Sequence, residues 1–149
     1  MRRLELFGAA LLFAATLASV PAVRAEAAPA CGGALSDWQN ATYSGFLVGE
    51  NGRMHSVTVR IPGETATVTT DTHSWEAQDA AVELRGGTLT WGRSVPDLSF
   101  THTLQTPMCV NGSKVLAAQF IAERGTIAGS TTASGWVVRT ADRPMRTAQ

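Results

Sequence analysis

The chain is short of positive charge and nearly devoid of lysine. Its 12 Lys and Arg residues only balance 12 Asp and Glu, and Lys114 is the sole lysine. Without a basic field a surface cannot collect phosphates, so nucleic acid is excluded as the expected partner. For the same reason no polybasic patch is available to hold an anionic membrane. The two cysteines, Cys31 and Cys109, form no Cys-x-x-Cys pair or Cys/His cluster, which removes the spacing of a zinc or dithiol redox site. No Gly-x-Ser-x-Gly occurs, so the nucleophile elbow of an α/β hydrolase is missing. Past the N-terminus no apolar run is long enough to span a membrane, and residues after 41 lack helical periodicity.

The beginning of the chain does have such a run. Met1-Arg2-Arg3 is followed by an almost wholly apolar stretch from Leu4 to Val20, and Val23-Arg24-Ala25 precedes Glu26. A charged start, an apolar centre and a small-residue cleavage site are the order of a secretory signal. The expected organisation is therefore a signal peptide over 1–25, a lead-in over 26–40, a β-barrel domain over 41–140 and a polar tail over 141–149. Ala22 is a second cleavage candidate, an uncleaved anchor is the competing reading of the run, and Cys31 after Ala28-Pro29-Ala30 allows a lipoprotein variant. Cleavage removes Arg2, Arg3, Arg24 and one acid, Glu5, leaving a weakly acidic chain with no membrane span. Export to the periplasm or the medium places Cys31 and Cys109 in an oxidising compartment, where an even count predicts a disulfide.

From Tyr43 onward the pattern is short strands and turns. Asn51-Gly52 links Tyr43–Gly49 to His55–Ile61, and Asn-Gly is the strongest short hairpin signal because both residues tolerate positive φ. Further strands are expected over Thr65–Thr70, Ala81–Arg85, Thr88–Trp91, Leu98–Gln105, Val115–Ile121, Thr126–Thr132 and Trp136–Thr140. About eight to nine short strands without a helix predict an all-β fold. Sequential short connections favour one up-and-down barrel, with an interior for side chains or one small ligand. A β-sandwich is the alternative.

Three segments carry a resemblance. They are YSGFLVGENGRMHSVTVRI from Tyr43 to Ile61, AVELRGGTLTW from Ala81 to Trp91, and RGTIAGSTTASGWVVRT from Arg124 to Thr140. Together they resemble the small β-rich module preceding the catalytic domain of some secreted bacterial α/β hydrolases, a module similar in pattern to lipocalin-like barrels. Gly125, Ile127, Gly129 and Arg139 match its closing hairpin. The resemblance implies a lipocalin-like barrel; with no nucleophile elbow it implies no hydrolytic activity, and the cysteine pair does not belong to its pattern.

The candidate interior is read from alternation. In LSFTHTLQ, Leu98, Phe100 and Leu104 share a face with His102, an ionisable ring among core residues. It is a paired core histidine, a cavity-lining group or a base, and no partner acid is apparent for the last. Trp91 sits with Leu89, and Trp136 with Val138, and both tryptophans are expected inward; Trp38 is expected to plug the barrel bottom from the lead-in. Trp75 lies in the irregular stretch Asp71–Asp79 and is expected to cap the mouth or to face a partner. Asp71-Thr72-His73 with His55 is too sparse for a metal site, and nothing singles out a catalytic carboxylate pair among Glu50, Glu64, Asp71, Glu76, Glu83 and Asp97. The expected function is non-enzymatic binding of a small apolar or amphipathic ligand by Phe100, His102, Leu104, Trp91 and Val59. No catalytic residue, metal or cofactor is assigned. The alternatives are a protein-interaction module or inhibitor of a secreted hydrolase, using Trp75 and the tail, and a small hydrolase.

Overall fold

The computed structural model describes residues 30–73 and 75–140. The expected signal segment and C-terminal tail lie outside the described residues. A 3-10 turn at Leu35–Asp37 precedes nine strands: β1 (Ala41–Gly49), β2 (Met54–Ile61), β3 (Thr65–Thr70), β4 (Ala77–Ala81), β5 (Glu83–Arg85), β6 (Thr88–Val95), β7 (Leu98–Cys109), β8 (Val115–Thr126) and β9 (Gly129–Thr140). All pair antiparallel in one sheet of order β4-β3-β2-β1-β9-β8-β7-β6-β5. The meander turns back on itself where β9 joins β1, and β4 approaches β6 across the remaining seam. The result is a nearly closed up-and-down barrel, not a sandwich.

Strand alternation builds the interior. Tyr43 and Leu47 on β1, Val57, Val59 and Ile61 on β2, Ala66 and Val68 on β3, Leu89 and Trp91 on β6, and Phe120 and Ala122 on β8 are all buried. The outer positions of β3 are threonines, which suit a solvated pleat. The turns Asn51-Gly52 and Gly86-Gly87 have their glycines at positive φ, as tight hairpins between twisted strands require.

The strand extents differ from the sequence reading in a systematic way. Glu123-Arg124-Gly125 is not a turn; β8 runs through it, and the hairpin lies at Ile127-Ala128. Ala133-Ser134-Gly135 likewise continues β9, so the last two expected strands are one. β7 continues through Pro107 to Cys109, with its register shifting between Gln105 and Cys109. An additional strand, β4, occupies part of the stretch read as irregular. Long paired strands hold their small residues in place because each neighbour already supplies hydrogen bonds, which local turn propensity cannot outweigh.

The barrel bottom is closed by the lead-in. Trp38 is 0% exposed, and its indole Nε1–H donates to the Gly32 carbonyl at 2.9 Å. Arg139, near the end of β9, donates to the carbonyls of Gln39 at 2.9 Å and Asp37 at 3.2 Å. The buried Asp37 carboxylate accepts from the Ala34 N–H at 3.0 Å and from the Ser113 hydroxyl at 2.7 Å. The Cys31–Cys109 disulfide joins this plug to the end of β7. A closed loop of 78 residues constrains the denatured chain by up to about 4 kcal/mol in the chain-entropy picture. The bridge is compatible with an oxidising, exported location. Among the described residues no helix is long and apolar enough to cross a membrane.

Candidate functional site

The other end of the barrel carries the β1–β2, β6–β7 and β8–β9 hairpins and the segment from Asp71 to Glu76. Just inside it, hydrogen-bond register places Trp91, His102, Ala122 and Ala133 side by side across β6, β7, β8 and β9. The next row inward is Leu89, Leu104, Phe120 and Gly135. His102 is 0% exposed and stacks between large rings. Its centroid lies 5.5 Å from Trp91 and 5.7 Å from Phe120, with Phe100 at 6.4 Å. Alternation put His102 inward, and the small side chains of Ala122 and Ala133 leave room for the rings.

The ring has one hydrogen bond. His102 Nε2 lies 2.8 Å from the Trp75 carbonyl. A carbonyl can only accept, so Nε2 carries the proton and Nδ1 is a bare acceptor. Burial pushes the His102 pKa below the ordinary 6.5, against the upward pull of the Trp75 carbonyl, because a charged imidazolium loses its hydration there. The neutral ring is therefore the resident form.

Among the described residues, four buried polar atoms at this end have no hydrogen-bond partner: the His102 Nδ1 acceptor, the Trp91 Nε1–H donor, the Thr70 hydroxyl and Arg124 Nε. Thr70 is the last residue of β3 and is buried. Its even number puts it on the inner face with Ala66 and Val68. An unmet buried donor or acceptor costs about 1–3 kcal/mol, and most such groups have a partner in protein or water.

The segment after Thr70 covers the first three of these atoms. Trp75 is 8% exposed, so of the two roles expected for it the partner-facing one is corrected: its ring is withdrawn into the core and its carbonyl anchored on His102. Carboxylates hold the segment down. Asp71 meets His55 Nδ1 at 3.2 Å and the Ser56 N–H at 3.4 Å, and Glu76 accepts from the Thr70 N–H at 3.4 Å. Glu76 also pairs with His73 at 2.9 Å and thereby raises the His73 pKa above 6.5.

Of the five expected ligand contacts, Trp91, His102 and Phe100 are brought together, with Leu104 one row deeper. Val59 is buried, but its register joins it to Tyr43, and through Tyr43 to Arg139 of the plug. Trp136 was expected inward and is 48% exposed; Ala133 and Val137 take the inner positions of β9. Trp136 lies opposite Phe46 on the outer face. Sequence reasoning missed Phe120 and Thr70. Phe120 was detectable by alternation from Ala118 and Ala122, but the register shift opposite Leu116 obscures which parity faces in.

Among the described residues no cluster of three or more His, Cys, Asp or Glu is arranged to hold a metal ion. No family model matches the chain, and neither a curated protein nor a solved structure matches it significantly.

Proposed function

We propose that the protein is an exported, non-enzymatic barrel that binds a small amphipathic molecule at the end covered by Trp75. The observation that carries this reading is the set of partnerless polar atoms in an aromatic surround: an acceptor on His102, a donor on Trp91 and a hydroxyl on Thr70. A ligand with an apolar body and one hydrogen-bonding group complements that set, since pockets of this kind pair apolar walls with a few placed polar groups. The lower barrel, filled by Trp38, Tyr43, Leu47, Val59 and Ile61, serves as scaffold.

Native mass spectrometry of protein purified without detergent or organic solvent tests the reading. The expected result is an adduct in the small-molecule range that solvent extraction removes. Trp91→Phe, which keeps an aromatic ring but loses the Nε1–H, should weaken rebinding roughly tenfold, the loss of one buried hydrogen bond. A mass matching the bare chain, from every preparation, would rule the reading out.

The exposed pair Phe46 and Trp136, with Val48 and Val138 beside them, favours a second reading, a protein-interaction module that uses the outer face of β1 and β9. Recovery of a stoichiometric protein partner that is lost in Trp136→Ser, with no small molecule bound, would select it.

A further inference from the structure

Above the His102 row the inner parity continues with a different chemistry. Phe100 on β7 pairs with Arg93 on β6 and with Arg124 on β8. Two arginine backbone positions thus flank that of Phe100 at the barrel mouth, with Arg93 exposed and Arg124 half-buried. Neighbouring strands lie about 4.8 Å apart, so the two arginine backbones stand roughly 10 Å from each other, a span that two long side chains can close around one group.

Neither arginine is neutralised within the protein. No ion pair or hydrogen bond engages the side chain of Arg93 or Arg124 among the described residues, and Arg124 Nε is shielded from solvent without a partner. Asp71 is bonded to His55, Glu76 to His73 and Glu50 to the Thr132 N–H. Asp97, at the tip of the β6–β7 hairpin, pairs with neither arginine. A shielded guanidinium N–H is a costly group to leave unmet, and paired arginines are suited to planar or tetrahedral anions. An open groove of about 320 Å³ runs between the hairpin tips; Val95, Asp97, Leu98, Thr126 and Ile127 line it, and neither arginine does.

We propose that Arg93 and Arg124 form an anion site at the barrel mouth, and that the ligand is an amphipathic anion whose carboxylate or phosphate sits between them while its apolar part passes Phe100 toward Trp91 and His102. This rests on the interior-ligand reading for the apolar part, but the anion site can be tested apart from it.

The test is a titration of ¹⁵N-labelled, disulfide-bonded protein with octanoate, octanol and inorganic phosphate. The Arg124 Nε–H resonance reports the mouth and the Trp91 Nε1–H resonance the interior. Octanoate is expected to shift both and to bind at least tenfold more tightly than octanol. In R93Q/R124Q that preference should vanish while octanol binding is unchanged. Phosphate shifting Arg124 alone, with Trp91 unmoved by all three probes, supports the anion site, identifies its occupant as a free anion and refutes the interior reading. Equal binding of octanol and octanoate through Trp91, with Arg124 unmoved, overturns the anion site and leaves the interior reading standing. Resonances unmoved by every probe overturn both.

Discussion

His102 is the residue on which interior chemistry and stability meet. Because burial holds its pKa below 6.5, the unfolded chain takes up a proton as the pH falls through that value and the folded chain does not. Stability is therefore full above about pH 6.5 and declines below it toward the folded pKa, by at most about 1.4 kcal/mol per pH unit. His73 has the opposite sign: Glu76 raises its pKa, so its contribution is present below 6.5 and fades as the pH rises through the raised value. His102→Phe keeps a ring in the stack but loses the bond to Trp75. Denaturant unfolding at a series of pH values should show the slope just below pH 6.5 flattened in this variant, with about 1 kcal/mol lost at neutral pH. An unchanged slope would show that His102 is not the group being titrated. The inward position of His102 was legible from alternation alone. Its tautomer and its bare Nδ1 were not, because they depend on the Trp75 carbonyl, which arrives from 27 residues away.

The strands show why local patterns mislead about extent. Two expected strands merge into β9 and one unforeseen strand, β4, is gained, so the expected total survives although several boundaries move. Gly125 and Gly135 read as turn residues, but each lies inside a paired strand. Gly135 and Gly45 are there for close backbone approach. A Cβ on Gly135 would run into the Phe46 carbonyl, and one on Gly45 into the Trp136 carbonyl. Glycine at a sharply coiled barrel position lets two backbones pass where any side chain would separate them. Gly45→Ala should therefore force β1 from β9 and cost about 2 kcal/mol or more, lowering Tm by roughly 8 °C. A Tm within 2 °C or so of the parent, the scale of an ordinary surface change, would mean that the strands yield more easily than this packing allows. The outward turn of Trp136 has the same origin: in β9 the inner face belongs to Ala133, Gly135 and Val137, a set of small residues that composition alone does not distinguish from the outer face.

At the scale of the whole molecule, the two ends of the barrel are built differently. At one end Trp38 is bonded to Gly32, the Asp37 carboxylate to Ala34 and Ser113, and Arg139 to the Asp37 and Gln39 carbonyls, with the Cys31–Cys109 bridge joining the plug to β7. At the other, Trp91, His102, Thr70 and Arg124 keep polar atoms without protein partners under a segment held by Asp71 and Glu76. The plug was readable from Trp38 and the cysteine pair, because a disulfide fixes which end the lead-in reaches. The binding end was only half readable, since its donors and acceptors come from β3, β6, β7 and β8 and converge only when the sheet closes. The most direct measurement is a high-resolution crystal structure of protein purified gently from its native compartment. The account predicts continuous density for an organic molecule, with polar atoms within about 3 Å of His102 Nδ1 and Trp91 Nε1. Isolated waters on these atoms, or side chains shifted to pair them with one another, would contradict it.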